Sequence, residues 1–520
     1  MYTYIFIAFL VIVSLVTLVT LVTTKLLNNN ENFTISKEQL TYNELPSETK
    51  EALSIIPKFT SKGFTEPKKL DDKLYDKIYK FYKNNYHKAY TENKDESKYT
   101  KNFNNIIIKL DDSIIKEITN NFMNLIKSWT KIENLEHTST FGIREYKKNS
   151  ILPLHTDRKE THILSAIINI EQDNEWNLEI YDHDLNRHLI NLKPGEYILY
   201  ESAICLHGRP TNFRGNKYAN IFTHFKVNIR NEYLPIFNNL SPKKGNLLYT
   251  SNKTLYADYL NHGFSNTLMA FEKQVCVAIE SKRKIILPKD EKIDWHNQKK
   301  NNIKFNIFDI FDYNTFISYI PIEKYSIKDW FVFNKKNYEE VIKSDKLDIK
   351  INFKLFDEFD SNCSKILNNC LKIKSSILIQ VSNLLNIYNL SDLNYISMHI
   401  RRGDFKNVYN KDVVISNDKI ITNNNKHLIN NTLLLVTDEY DNDLIMKLKK
   451  ICKRVICLSD INNNIIYDML LCTASKQFIG TPYSSFSRQI VRFRKIINPS
   501  ININYITPVN TKNIPWWGKY

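Results

Sequence analysis

The hydrophobic period of this chain switches once along its length, and that switch restricts it to two different kinds of domain. From Phe141 to Val227 the apolar residues come in short runs rich in β-branched and aromatic side chains, HILSAIINI, WNLEIYD, EYILYES and ANIFTHFKV, broken by turns such as Lys193-Pro194-Gly195. Runs of this length and composition read as strands, and many of them in succession point to a double-sheet jelly roll. Just ahead, Ile114, Ile118, Phe122, Leu125, Ile126 and Trp129 recur at three- and four-residue steps, which predicts a helix over 110–129 with one buried face that packs on the sheet. Beyond residue 255 strands alternate with helices, at Lys284–Leu287, Tyr395–Ile400, Thr432–Val436, Val455–Leu458 and Gln477–Ile479, the pattern of parallel α/β architecture.

With 520 residues the chain has room for two or three domains, each with its own core. Residues 4–24, YIFIAFLVIVSLVTLVTLVTT, form a charge-free apolar run of about twenty residues, enough to cross a bilayer as a helix and without a small-residue cleavage site after it. The expected organisation is a transmembrane signal-anchor over 1–25, a polar stem over 26–66, a jelly-roll domain over 67–228, a linker over 229–254 containing Pro235, Pro242 and Gly245, and an α/β domain over 255–520. The expected localisation is a type II single-pass protein of the endoplasmic reticulum or Golgi with lumenal domains. Charge leaves the orientation open, because Lys25 follows the run and no Lys or Arg precedes it.

The net charge of +16, from 72 Lys plus Arg against 56 Asp plus Glu, suits a polyanionic partner on its own. Scarce Gly (10) and Pro (14) beside abundant Asn, Ile and Lys look instead like a codon bias acting everywhere, so a nucleic-acid partner is not expected. The seven cysteines form no CxxC pair or zinc spacing. Cys363 and Cys370 are placed to bridge, though buried free thiols are the plainer reading.

Two motifs carry chemistry. In GIREYKKNSILPLHTDR, His155 and Asp157 flank one residue, so an extended segment turns both to one face. His207, fifty residues after Asp157 and following a predicted strand, completes a 2-His-1-carboxylate set suited to ferrous iron with open positions. His162, His183, His188 and His224 read as structural or exposed. The segment 141–227 resembles the 2-oxoglutarate and Fe(II)-dependent dioxygenases, particularly the prolyl 4-hydroxylase-like branch. That resemblance implies a double-stranded β-helix, His155, Asp157 and His207 as iron ligands, Lys217 ten residues after the distal His as partner of the far carboxylate of 2-oxoglutarate, and Tyr146 beside the co-substrate. It also admits ascorbate. Lys rather than Arg at 217 favours prolyl-type hydroxylation of a protein or peptide, with Arg209 and Arg214 flanking and able to substitute.

In LNYISMHIRRGDF, His399, Arg401, Arg402 and Asp404 stand at the end of a predicted strand, where ligands collect in open α/β sheets, and paired guanidinium groups suit a diphosphate. This motif resembles motif I of the superfamily of α1,2-, α1,6- and protein O-fucosyltransferases, as do HGFSNTLMAFEKQVCVAIESKRKIILP, with Asn266 in its opening loop, VTDE at 436–439 and FIGTPYSSFS at 478–487. The resemblance spans 255–505 and implies two Rossmann-like halves of GT-B type and GDP-fucose as donor. It puts Arg401 in a catalytic position, with His399, Arg402, Asp404, Asp438, Asp468, Ser484, Ser485, Phe486 and Ser487 as nucleotide-binding candidates. The combined expectation is a bifunctional membrane-anchored enzyme that hydroxylates a protein side chain and transfers fucose to a hydroxyl, on protein or glycan. The alternative is an active dioxygenase fused to a catalytically inactive glycan- or peptide-binding domain.

Overall fold

The structure is a computed structural model; it describes residues 37–92, 105–258, 264–287, 293–294, 304–305, 307–323, 330–333, 338–352, 364–403, 416–457, 464–482, 484–498 and 503–506. The first half contains β1 (Ile143–Tyr146), β2 (Leu152–His155), β3 (Leu164–Gln172), β4 (Leu178–Tyr181), β5 (Arg187–Ile190), β6 (Glu196–Tyr200), β7 (His207–Arg209) and β8 (Tyr218–Lys226). One antiparallel sheet has the order β6-β3-β8-β1, with Lys68–Lys69 added beside β6 and Ile106–Ile108 and Tyr90–Thr91 beyond β1. The facing sheet has the order β2-β7-β4-β5. This is the expected double-sheet jelly roll.

Alternation along β8 separates its two faces. Tyr218 and Phe222 turn inward to join Tyr146, Ile167, Trp176, Ile198 and Tyr200 between the sheets. Ala219, Ile221 and Phe225 turn outward, into a second core that includes the helices Asp72–Asn85 and Asp112–Thr130. The longer helix buries Ile114, Ile118, Phe122 and Ile126 and ends at Lys131, whose φ of 60° breaks the helical run.

The second half holds two parallel sheets. The first orders β9 (Thr254–Asp258), β10 (Lys284–Ile286), β11 (Ile322–Glu323), β12 (Phe331–Phe333) and β13 (Asp348–Asn352) as β11-β10-β9-β13-β12. The second orders β14 (Ile396–Ile400), β15 (Thr432–Thr437), β16 (Arg454–Cys457), β17 (Gln477–Gly480) and β18 (Ile503–Tyr505) as β16-β15-β14-β17-β18. Strand order in the second sheet reverses between β14 and β17, so a crevice opens beyond their carboxyl ends.

Two expectations are corrected. No helix among the described residues is long and apolar enough to cross a membrane, so the transmembrane helix is withdrawn from the fold class and, with it, the single-pass lumenal localisation. The 4–24 run that suggested both lies outside the described residues. Residues 37–66 are not a stem. The helix Ser47–Ile55 packs against the helix Ser375–Ile387, with the Asn383 amide donating to Ile55 O at 2.8 Å, and Ile56 and Phe59 join the main core. Its apolar residues are too few for a helical pattern to stand out in the sequence, and they are buried by residues more than three hundred positions away. Cys370 is a buried free thiol, the plainer of the two readings of its sequence.

Candidate active sites

The first site is set by register. β7 runs antiparallel to β2 with His207 directly opposite His155, which places the two rings on one face, 4.6 Å apart between centroids. Asp157 follows just past the end of β2, its backbone N–H held by Ser202 O at 2.9 Å. Its Oδ1 lies 3.8 Å from His155 Nε2 and 4.0 Å from His207 Nε2. Among the described residues these three form the one group of metal-ligand type whose atoms all lie within 4.8 Å of one another.

The surroundings fix how the ligands present themselves. His155 Nδ1 meets Pro153 O and His207 Nδ1 meets Cys205 O, each at 2.9 Å. A carbonyl only accepts, so each Nδ1 carries the hydrogen and each Nε2 keeps its lone pair for the shared centre. Burial pushes both imidazoles down to about 4 and raises the Asp157 carboxyl. Two neutral imidazoles and a carboxylate with the lone pairs converging fit a divalent first-row metal with positions left open. Ser165 Oγ lies 3.5 Å from Asp157 Oδ2, 2.6 Å from Ser202 Oγ and 2.7 Å from His224 Nδ1. His224 is in turn stacked on His162 at 3.9 Å. His162 and His224 therefore border the His155–Asp157–His207 cluster, a place that no sequence signal assigned to them. Neither stands at a recognisable spacing; His224 is brought there by its register opposite Ser165, and His162 by the turn that precedes that strand.

Basic residues sort by their countercharges. Lys217 precedes Tyr218 and faces the opposite side of the sheet, where it pairs with Glu171 at 2.8 Å; it is not beside the cluster. Arg144 on β1 is paired with Glu92, and Arg214 is exposed. Arg209 has the same parity on β7 as His207 and is fully buried among the inner aromatics, 4.9 Å from the Tyr218 ring and 5.3 Å from that of Trp176. Tyr146 is also fully buried, with its hydroxyl facing the Arg144 guanidinium.

The second site lies at the crevice of the second parallel sheet. His399, at the end of β14, meets Ser487 Oγ at 2.7 Å through Nδ1 and packs edge-on against Phe486. Burial, then the neighbouring Arg401, push its pKa down to about 3, so the ring is neutral. Thr481 ties the two walls together: its hydroxyl donates to His399 O at 2.7 Å and accepts from Arg401 N at 3.0 Å, and its N–H donates to Ser487 Oγ. Thr481 was not singled out from the sequence, although it stands inside the quoted FIGTPYSSFS. Ser484 caps the helix Ser485–Ile497 by accepting from Ser487 N. The turn thereby presents the amino end of that helix beside Arg401, an arrangement suited to phosphate.

The two arginines divide. Arg401 is a third exposed and has Asp438 Oδ2 3.2 Å from its Nε. Arg402 points into the protein, bound to Asp441 at 2.6 Å and to Asn417. Asp438 accepts from Arg402 N and Gly403 N at 2.9 and 3.0 Å, so it shapes the loop. Asp468 is buried in the first turn of the helix Ile465–Ala474. Asn266 is half-buried in the first turn of the helix Phe264–Glu280, which is bridged to the Ser485–Ile497 helix by Glu272 and Arg492. Asp404 lies outside the described residues.

No family model and no curated protein matches the chain. Solved structures do: POFUT1 in complex with GDP, at 11% identity over 50% of this chain and 100% of that one with a TM-score of 0.36; the fucosyltransferase NodZ from Bradyrhizobium, at 13% identity over 46% and 92% with a TM-score of 0.35; and a prolyl-4-hydroxylase from Pseudomonas putida, at 12% identity over 34% and 99% with a TM-score of 0.27. The chain is thus similar both to fucosyltransferases and to a prolyl 4-hydroxylase. With these TM-scores below 0.5, functional assignment rests on the geometry of the two sites.

Proposed function

We propose that the jelly roll is an Fe(II)- and 2-oxoglutarate-dependent hydroxylase of prolyl type acting on a protein or peptide, and that the double-Rossmann half transfers fucose from GDP-fucose to a hydroxyl. The observation that carries the first assignment is the His155–Asp157–His207 cluster with both Nδ1–H groups locked onto carbonyls. Bound iron and keto acid would supply the dioxygen chemistry, in which one oxygen atom enters a C–H bond and the other ends in succinate. The protein holds and orients: His155, Asp157 and His207 take the metal, Ser165 and Ser202 steady the Asp157 carboxylate, and the aromatic walls between the sheets exclude water. In the second half, Arg401 and the Ser484–Ser487 turn hold the diphosphate, with His399 fixed beside them by Ser487. Asn266, Asp438 and Asp468 take supporting places around the crevice.

Succinate release from Fe(II), 2-oxoglutarate and a proline-rich peptide pool tests the first activity, and GDP release from GDP-fucose the second. No succinate from the wild-type chain, or undiminished succinate from His155→Ala, would refute the hydroxylase. GDP binding without turnover on any acceptor would leave a glycan- or peptide-binding half instead of a transferase. We further propose that hydroxylation comes first on a shared substrate, because a C–H bond accepts fucose only after oxidation has made it an alcohol. Mass spectrometry of a peptide given both co-substrates, with and without the His155→Ala change, decides this; fucose transfer that survives loss of hydroxylation would show independent sites.

A further inference from the structure

The neighbouring ligands His155 and Asp157 do not share the same support. His155 ends β2 and is held by its ladder to β7. Thr156, Asp157 and Arg158 follow without strand pairing, so the carboxylate ligand sits on a segment whose place is set by side contacts. One of these is the bond from Asp157 N to Ser202 O. Another comes from outside the jelly roll. Thr156 lies between the two ligands on an extended segment, so its side chain leaves the opposite face from theirs. There its hydroxyl meets Thr49 Oγ1 at 3.0 Å, and among the described residues it has no other partner.

Thr49 stands in the first turn of the helix Ser47–Ile55 and is 1% exposed. A helix of nine residues is unstable alone. This one has no side-chain cap at its amino end, and the carbonyls of its last turn need donors from elsewhere. The second half supplies them. Asn383 Nδ2 donates to Ile55 O at 2.8 Å and Gln380 Nε2 donates to Leu53 O. The Gln380 amide is oriented in turn by Tyr467, whose hydroxyl donates to its Oε1 at 2.8 Å. A line of contacts thus runs from the helix Ile465–Ala474 through Gln380 and the helix Ser47–Ile55 to the residue between two metal ligands. We infer that Thr49 is a positioning residue of the metal site, setting the place of Asp157 through Thr156, and that the second half completes the site by holding the helix that carries Thr49. The inference rests on the hydroxylase reading and deepens it.

Co(II) titration of the full chain tests it, because Co(II) takes the same nitrogen and oxygen ligands and its visible bands report their geometry. Thr49→Val keeps the shape and removes the hydroxyl. Measured well below the melting temperature, this variant is expected to bind Co(II) about tenfold more weakly, the low end of the loss for outer-shell partners of metal ligands, with shifted bands; Thr49→Ser should restore both. Thr156→Val breaks the same bond from its less buried end, and carries the test where Thr49→Val does not fold. The double variant should lose no more than either single one, since a shared bond is lost once. Gln380→Met should shift the same bands from the other half of the chain. A Thr49→Val protein that melts lower yet keeps wild-type Co(II) affinity and bands would make Thr49 merely structural and overturn the assignment. Additive losses in the double variant, or no recovery in Thr49→Ser, would overturn it equally. Wild-type bands in Gln380→Met would overturn the part given to the second half. A wild-type chain that takes up no metal refutes the hydroxylase reading itself.

Discussion

Arg401 and Arg402 are adjacent, and the structure predicts opposite consequences for removing them. Among the described residues Arg402→Ala takes away the 2.6 Å ion pair with Asp441 and a hydrogen bond to Asn417. Asp441 also caps the helix Asn442–Ile451 by accepting from Leu444 N. Burial alone would raise its pKa, and Leu444 N–H, Asn417 and Arg402 together hold it below the usual value. Breaking a fully buried pair costs about 3–5 kcal/mol. With the Asp441 side chain 26% exposed, solvent recovers part of that, and about 2–3 kcal/mol is the expected loss, roughly 4–12 °C in melting temperature. Among the described residues Arg401→Ala disturbs a contact to Asp438 on a side chain 33% exposed, so stability should change by less than about 1 kcal/mol. GDP affinity should nevertheless fall about tenfold to a hundredfold, the worth of one charged phosphate contact. Urea unfolding of both variants, followed by GDP calorimetry well below both midpoints, separates the roles. An Arg402→Ala protein with wild-type stability and no GDP binding would refute the division.

Other outcomes follow from buried groups. His399 has a folded pKa of about 3 and His207 one of about 4, both below the unfolded value, so the unfolded chain binds more protons and stability is lost as pH falls below about 6.5. Each costs up to about 2 kcal/mol at pH 5; a urea midpoint unchanged in metal-free protein between pH 7 and pH 5 would contradict this, and His399→Gln should reduce the drop. Glu201 is buried and accepts from Phe59 N, Thr60 N and Thr60 Oγ1, so Glu201→Ala, which orphans these donors, should cost about 3–5 kcal/mol in chemical denaturation. Replacing both His155 and Asp157 by Ala should abolish tight Fe(II) uptake by the jelly roll, as elemental analysis after desalting would reveal.

The sequence showed the period-two strands of the jelly roll, the helix under it and the alternating second half because each rests on local spacing. The clustering of His155 with Asp157 was legible for the same reason: they are two apart, and two is the period of a strand. Lys217 was expected from an offset implied by the resemblance, whereas its side chain pairs with Glu171. Along β8 the inward residues are Tyr218 and Phe222, so position 217 turns out. Arg402 looked equivalent to Arg401 because adjacency in sequence is silent about opposite faces. Residues 37–66 looked like a tether because the surface that covers them comes from 375–387.

That last point bears on how the two sites are related. The halves are not beads on a linker. The helix Ser375–Ile387 reaches across to the first half through Asn383 to Ile55 O and to Arg230, through Gln380 to Leu53 O, and through Ser382 to Leu234 N; Tyr388, just beyond it, donates to Thr130 O. The expected linker is wedged into the same core. Phe237 and Leu240 are buried within it, and Ile373 N donates to Leu240 O. Cutting the chain after residue 254 would uncover Ile56, Phe59, Phe237 and Leu240, at about 1.5–3 kcal/mol for each large side chain. Their sum, on the order of 10 kcal/mol, is comparable to the whole stability of a domain. A fragment of residues 37–254 is therefore expected to aggregate or to melt far below the full chain, and to recover metal binding only when residues 255–520 are co-expressed. Monomeric behaviour in analytical ultracentrifugation, with wild-type melting and metal uptake, would show that the shared core contributes little. In that case the two sites would be joined by sequence alone.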